Sequence, residues 1–432
     1  MFRPTGFADL AGKRVGIFGY GVEGRATAER LGDNATVILV DDAPGRGDHV
    51  LVTSEGGHEA LLNCDVVVKG PGIPRRREDV LALEAHGVRV TSALNLWLHE
   101  IDRRRVIAVT GTKGKSTTTS LITFFLRCLG EPAQSLGNIG QPPYDLHVDT
   151  SLGWLVVEVS SYQCVDLELA PATVVVTSLG ADHLDWHGSL EQYQSDKLSL
   201  TRAAGPHQTF VADVPSLREV AGELGGDVSF VTPAHHELVE ALGLLGAHND
   251  DNVSLAVEVV ARLTGKTPGE VANSVLVLAR DFVPLRGRLT LIASEVRSGG
   301  TIRYVDDGLA TSELPTIAAL QIFRDEAVAL IVGGFDRGVD YSSLASVITN
   351  RTPPTLLLTM GEAGERIGWA VRALAATLEQ VPVHDMSEAV QAAREFLQHG
   401  GVVLLSPAAP SFDQFQNWEE RSNSFATACF RT

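Results

Sequence analysis

The stretch Val106-Ile107-Ala108-Val109-Thr110-Gly111-Thr112-Lys113-Gly114-Lys115-Ser116-Thr117 decides how the chain is read. An apolar run predicts a buried strand. It ends in a turn whose two glycines are separated by two residues, and the turn opens into a helical stretch. A glycine-rich turn between strand and helix offers backbone N–H donors to phosphate oxygens, and the helix adds its positive N-terminal end. Lys115 brings a cation to terminal phosphates, and Ser116 brings a hydroxyl suited to magnesium. The loop is shorter than the usual GxxxxGK[ST] pattern, yet strand, turn and helix coincide. Nucleotide binding is the reading.

Outward from that loop the chain divides into three α/β segments. Residues 1–101 open with an apolar run at 15–18, the turn Gly19-Tyr20-Gly21-Val22-Glu23-Gly24 and a helical stretch at 25–31. A second run at 36–40 ends in Asp41-Asp42, and a third at 65–68 leads into Lys69-Gly70-Pro71-Gly72-Ile73. Strand, GxGxxG turn, helix and a downstream acid make a Rossmann-like half. The turn alone does not establish a nicotinamide cofactor. Residues 102–283 carry the phosphate loop and further buried runs at 154–159 and 173–179. Residues 284–432 alternate again, with strands expected at 301–305, 327–332, 355–359 and 402–406 and helices at 315–323 and 386–398. The alternation predicts parallel sheets in all three segments: Rossmann-like, then a P-loop ATPase-type sheet, then Rossmann-like.

Composition narrows the function classes. A formal net charge of −18 over 432 residues disfavours nonspecific nucleic-acid binding, which needs cationic surface to displace counterions. Cys64, Cys128, Cys164 and Cys429 are scattered without a CxxC pair, so free thiols in a reducing compartment are expected. No N-terminal run reads as a signal peptide and no apolar stretch is long enough to span a bilayer. A cytoplasmic monomer without membrane insertion is expected.

The segment Thr110 through Thr117, TGTKGKST, strongly resembles the ATP loop of Mur ligases and folylpolyglutamate synthases, and the resemblance continues in order along nearly the whole chain. Gly137-Asn138-Ile139-Gly140 is similar to the turn by which Mur ligases contact a UDP substrate. Glu158-Val159-Ser160-Ser161-Tyr162-Gln163 resembles the strand end that supplies a magnesium-binding glutamate. Asp182-His183-Leu184-Asp185 resembles the element that adds a histidine to the metal site, and Lys197 stands where the family carries a lysine carbamylated by carbon dioxide. Gly246-Ala247-His248-Asn249 with Asn252 resembles the segment that holds adenine and ribose; Arg288, Asp307 and Ser406-Pro407 continue the series.

The resemblance implies ATP and magnesium at two sites, with Ser116, Glu158, His183 and carbamylated Lys197 as metal contacts. Gly111, Thr112, Lys113, Gly114, Lys115, Ser116 and Thr117 would hold ATP with His248, Asn249, Asn252, Arg288 and Asp307. Lys115, His183 and Lys197 carry the catalytic assignment. Gly19, Gly21, Gly24, Asp41 and Asn138 would hold the UDP substrate in place of a dinucleotide. The implied reaction has two steps. A substrate carboxylate takes the ATP γ-phosphoryl group, and an amino acid then displaces phosphate from the acyl phosphate.

Chain length and Ser406-Pro407-Ala408-Ala409-Pro410-Ser411-Phe412-Asp413 point within the family to the step that adds glutamate to UDP-N-acetylmuramoyl-L-alanine. Thr311, Arg337, Ser411 and Trp418 would surround that glutamate. Leu309 and Ser312 depart from the D-glutamate pattern, which has a lysine and an asparagine there, and Arg337 replaces a lysine. A guanidinium reads a carboxylate through two parallel donors, whereas an ammonium is a point charge. With Asp336-Arg337-Gly338, these departures favour the subfamily that adds L-glutamate. The alternatives are D-glutamate addition and a folylpolyglutamate-synthase-like ligase, the latter leaving residues 1–101 unexplained. A dinucleotide oxidoreductase leaves Lys115, Glu158, His183 and Lys197 unexplained. A nucleotide-binding scaffold without activity accounts for Leu309 but not for those four residues.

Overall fold

The computed structural model describes residues 4–151 and 153–430. Three sheets form in chain order, each from short, buried, valine-rich runs that suit strands covered on both faces. The first has five parallel strands, β1 (Arg14–Phe18), β2 (Thr36–Asp41), β3 (Val50–Val52), β4 (Val66–Lys69) and β5 (Arg89–Thr91), in the order β3-β2-β1-β4-β5. The second has six parallel strands, β6 (Val106–Thr110), β7 (Ala133–Gly137), β8 (Trp154–Glu158), β9 (Thr173–Val176), β10 (Gln208–Ala212) and β11 (Asp227–Val231), in the order β11-β10-β9-β6-β8-β7. The third contains β12 (Thr290–Arg297), β13 (Gly300–Asp306), β14 (Val328–Gly333), β15 (Thr355–Met360), β16 (Gln380–Pro382) and β17 (Gly401–Leu405), in the order β12-β13-β17-β14-β15-β16.

One expectation is corrected. The third sheet is not wholly parallel, because β12 pairs antiparallel with β13, with a register shift between Leu291 and Ala293. Residues 298–299 make a tight reversal, which is far too short for the crossover a parallel pair needs, so the two strands pair antiparallel. β12 carries exposed and half-buried residues along most of its length and lies at the sheet edge, so it lacks the continuous apolar run that marks central strands such as β14 and β17.

The order of strands places the functional loops. In an open parallel sheet, ligands bind beyond the carboxyl ends of strands where the winding direction reverses. In the first sheet that reversal falls between β1 and β4, so the glycine turn after β1 and the loop 70–77 after β4 lie together. In the second, β6 sits between β8 and β9, and the phosphate loop is flanked by the loops after both. In the third, β17 lies between β13 and β14.

Compactness divides the chain into two units, one of residues 1–238 and 250–278 and the other of 239–249 and 279–432. The first unit contains the first two sheets. They are joined by a buried ion pair, Lys69 Nζ to Asp166 Oδ2 at 2.7 Å, with the lysine also donating to the Ile73 carbonyl. Removing one member would strand the other charge, which costs about 3–5 kcal/mol at buried sites. The second unit packs β13–β17 between two apolar layers, one around Leu320, Leu344 and Ile367, the other around Met386, Val390 and Phe425. Among the described residues no helix is long and apolar enough to cross a membrane.

β14 ends at Gly333, whose φ is +123°, and a Cβ there would lie 1.8 Å from the Met360 carbonyl oxygen. We expect Gly333→Ala to destabilise the second unit by about 3 kcal/mol or more, through backbone strain together with this clash. Chemical denaturation read by tryptophan fluorescence and near-UV circular dichroism would measure it.

Candidate active site

The phosphate loop is held by its neighbours rather than by itself. Thr112 N–H donates to the Ser178 carbonyl at 3.0 Å, Lys113 N–H to Ser178 Oγ at 2.8 Å, and Thr177 Oγ1 to the Lys113 carbonyl at 2.5 Å. These contacts explain why β9 stops at Val176, short of the run expected to reach 179: Thr177 and Ser178 turn onto the loop. Gly114 has φ +86°, and a Cβ there would come within 2.4 Å of Asn252 Oδ1. Both the left-handed backbone and the close approach require glycine. The helix Lys115–Cys128 follows, with Ser116 buried and Thr117 half-buried on its first turn.

Two lysines end on one carbonyl. Lys115 Nζ donates to the Gly111 carbonyl at 2.9 Å and to that of Thr112 at 3.1 Å, while Lys197 Nζ donates to the same Gly111 oxygen at 2.9 Å. Lys197 is 2% exposed, in the helix Leu190–Arg202, with its ammonium 4.9 Å from the centre of the Tyr193 ring. Burial, reinforced by the charge of Lys115, pulls its pKa down to about 7. Sequence reading missed Tyr193, whose hydroxyl donates to Thr112 Oγ1 at 2.9 Å and so ties the Lys197 helix to the loop.

Glu158 ends β8 at 1% exposure. Its Oε1 accepts from Asn138 Nδ2 at 2.8 Å, and its Oε2 is buried without a hydrogen-bond donor. An orphaned buried carboxylate oxygen is costly, and a cation would satisfy it. The oxygen donors of Glu158 and Ser116 suit magnesium in type. Among the described residues no three His, Cys, Asp or Glu side chains already converge as a metal cage. Asn138 thus touches the Glu158 carboxylate directly. His183 is exposed, in the left-handed region at φ +49°, with its ring 4.9 Å from that of Tyr162. Asp182 pairs with Lys113 at 3.3 Å.

In the first sheet, Gly19 and Gly21 lie in the turn and Gly24 in the helix Val22–Leu31, which starts earlier than the expected 25–31. A Cβ on Gly24 would sit 2.2 Å from the Gly19 carbonyl oxygen, so the helix packs directly on the turn. Asp41 is engaged by the protein: its Oδ2 accepts from the Tyr20 N–H at 2.7 Å and its Oδ1 from the Ala43 N–H at 2.9 Å. Asn252 is buried beneath the phosphate loop and accepts from Thr118 Oγ1 at 3.1 Å.

The other unit carries the remaining positions. His248 lies against Gly246, and Asn249 Nδ2 donates to the Leu245 carbonyl at 2.8 Å. Thr311 follows β13, Arg337 is exposed after β14, Ser411 is buried after β17, and Trp418 opens the helix Trp418–Phe430. These loops belong to one end of the sheet and are fastened together. Phe335 N–H donates to the Pro410 carbonyl at 2.8 Å, and the buried Arg421 guanidinium donates to the carbonyls of Gly308, Ala409 and Gly333 at 2.9, 3.0 and 3.3 Å. Arg421 was not legible in the sequence, where nothing sets it apart from the other arginines. Asp336 accepts from the Gly338 N–H at 3.0 Å and from Arg366, fixing the loop that presents Arg337.

The departure at Leu309 has a packing reason. A Cβ on Gly287 would lie 2.8 Å from Trp418 Cζ3 and 3.3 Å from Leu309 Cγ, so indole and leucine crowd the same face of that glycine. Arg288 follows on the exposed side of this turn. Asp307 is buried and accepts from Ser406 Oγ at 2.7 Å; burial pushes its pKa up to about 7.

Residues 109–224 match the Mur ligase middle domain. A UDP-N-acetylmuramoyl-L-alanine--L-glutamate ligase of Micromonospora sp. is 38% identical over 98% of this chain and 97% of its own. One of the same description from Salinispora tropica is 36% identical over 98% of both. Among solved structures, the MurF ligase from Thermotoga maritima in complex with ADP superposes with TM-score 0.54 at 13% identity, covering 98% of this chain and 96% of its own. Mycobacterium tuberculosis folylpolyglutamate synthase complexed with ADP gives 0.54 at 15%, covering 79% and 94%. At such identities the structures share the fold.

Asp307 generates a pH prediction. Its folded pKa lies above the ordinary carboxyl value of 3.8, so its contribution to stability is full below about pH 4 and is lost as pH rises through about 7. We expect Asp307→Asn to flatten the fall in melting temperature of the ligand-free protein between pH 5 and 8, as read by calorimetry.

Proposed function

The chain belongs to the Mur ligase family of ATP-dependent amide-forming ligases, and we propose that it joins L-glutamate to UDP-N-acetylmuramoyl-L-alanine in peptidoglycan precursor synthesis. The observation that carries the choice of step is the near-full-length likeness, at 33–38% identity, to curated relatives that bear this description. The exposed Arg337 and the Leu309–Gly287–Trp418 contact support the L enantiomer, because both replace features of the D-glutamate pattern. In this reading residues 1–101 take the UDP end of the substrate, 102–283 take ATP, and 284–432 take glutamate.

The chemistry follows from the phosphate loop. The substrate carboxylate attacks the ATP γ-phosphorus, the bond to the β–γ bridging oxygen breaks, and ADP leaves. The glutamate amine then attacks the acyl phosphate, gives up a proton, and phosphate departs. Such transfers need alignment and charge neutralisation more than covalent help from the protein. Loop N–H groups and Lys115 would meet the phosphates, and the family pattern assigns Arg288, Asp307, His248, Asn249 and Asn252 to the rest of the nucleotide. Glu158 and Ser116 would hold one magnesium, and His183 with a carbamylated Lys197 a second. Magnesium bound there adds positive charge against the phosphates. A lysine whose pKa is pulled down to about 7 has a substantial neutral fraction near neutral pH, and the neutral amine is the form that adds to carbon dioxide.

Phosphate release with ATP, magnesium and UDP-N-acetylmuramoyl-L-alanine tests the assignment: we expect turnover with L-glutamate and little with D-glutamate. Preference for D-glutamate would reverse the enantiomer, and silence with both would remove the proposed step. Lys115→Ala should lose at least about 100-fold in turnover with melting temperature nearly unchanged; near-normal rates would remove its phosphate role. Lys197→Ala should be inactive and partly rescued by a short carboxylic acid, since the acid replaces the carbamate's charge. Failure of every such acid would count against the carbamate.

A further inference from the structure

The residue before Lys197 has a carboxylate whose hydrogen bonding is complete. Asp196 Oδ1 accepts from Arg76 Nη2 at 2.7 Å and Gln192 Nε2 at 2.9 Å, and Oδ2 accepts from Arg76 Nη1 at 2.9 Å and His187 Nδ1 at 2.8 Å. The other ring nitrogen of His187 faces Ser161 Oγ at 3.0 Å, in the turn that follows Glu158. With Nδ1–H given to the carboxylate, Nε2 accepts the serine hydroxyl and the ring is neutral. Burial, which lowers the His187 pKa, holds it so. Trp186, Tyr193 and Tyr162 enclose the imidazole, with ring centres 4.4, 5.1 and 5.6 Å away. One carboxylate therefore fixes the helix that carries Lys197 against the strand end that carries Glu158.

Arg76 reaches this node from the other sheet of the same unit, 120 positions away in sequence. Its loop, 70–77, packs on the glycine turn: a Cβ on Gly19 would meet Ile73 Cγ1 at 3.3 Å and Gly70 Cα at 3.6 Å. Trp186 Nε1 also donates to the Gly72 carbonyl at 3.2 Å. The loop thus touches the turn read as the UDP site on one side and the segment bearing His183 and Lys197 on the other. The arginine side chain is 49% exposed and that of Asp196 3%, so the pair is anchored at the lysine end and accessible at the loop end.

We propose that Asp196 is a positioning residue for Lys197, and that the two-pronged Arg76–Asp196 contact makes the placement of Lys197 depend on the 70–77 loop beside the glycine turn. The inference rests on the ligase reading above and on Lys197 acting in it. Fork-to-fork geometry constrains both distance and plane, which a point charge cannot do. A small misplacement of a reacting-centre group is enough to lower turnover steeply.

The test uses the full chain, with Asp196→Asn, which keeps shape and removes charge, and Arg76→Lys, which keeps charge and removes the fork at a half-exposed site. Three readouts are taken: the KM for ATP, kcat for phosphate release, and the lysine-carbamate carbon signal after incubation with 13C-bicarbonate. In both variants we expect the KM for ATP to stay within about two-fold, kcat to fall by roughly ten-fold or more, and the carbamate signal to weaken. The double variant should lose little more than Asp196→Asn alone, because both substitutions break one contact. Folded Asp196→Asn with wild-type kcat would overturn the proposal, as would single losses that multiply in the double variant. Should Asp196→Asn fail to fold, unchanged kcat in Arg76→Lys would overturn it alone. A wild type that turns over but shows no carbamate signal would end the carbamate reading only, with kcat and the double variant still deciding the positioning role.

Discussion

Two amines that share one carbonyl oxygen set the terms for the rest of this site. Lys115 and Lys197 both donate to Gly111, and burial of Lys197, with the Lys115 charge beside it, disfavours a second ammonium there. The buried member answers by losing its proton more easily. That solution works only while the Gly111 carbonyl stays where it is, and the surrounding contacts serve this end. Thr177 and Ser178 pin the loop from one side, Tyr193 from another, and Asn252 lies where any side chain on Gly114 would strike it. The second sheet is the frame for one oxygen atom.

The same economy recurs in the second unit with the signs reversed. There Arg421 is the buried cation, and it gathers three carbonyls from the ends of β13, β14 and β17. Burial lowers its pKa to about 10, still well above the pH of a cell, so it stays charged and holds its acceptors. In one unit a carbonyl organises cations, and in the other a cation organises carbonyls. Both devices sit at the carboxyl ends of parallel strands, where loops from distant parts of the chain meet without secondary structure to order them.

What the sequence disclosed and what it concealed divide along the same line. The strand 106–110, the glycine loop and the helix after it are local, so period and turn chemistry expose them. The run of strands and helices made parallel sheets the natural expectation, and β12 escaped because an edge strand with mixed exposure carries no continuous apolar signal. The residues quoted from the family pattern were legible one by one. Their partners were not: Arg76 with Asp196, Tyr193 with Thr112, and Arg421 with three loops are side-chain meetings over long separations, and no spacing rule announces them. Asp41 shows the opposite limit, because its place at a strand end was visible while its commitment to the Tyr20 and Ala43 N–H groups was not.

Leu309, Gly287 and Trp418 form one wall, and the glycine is its fixed member. Gly287 has φ +70°, and a side chain there would strike the indole and press on the leucine. Strain and collision thus exclude any other residue at this one position. The bare backbone is what gives Trp418 and Leu309 their room, so the shape of this wall is set by an atom that is missing.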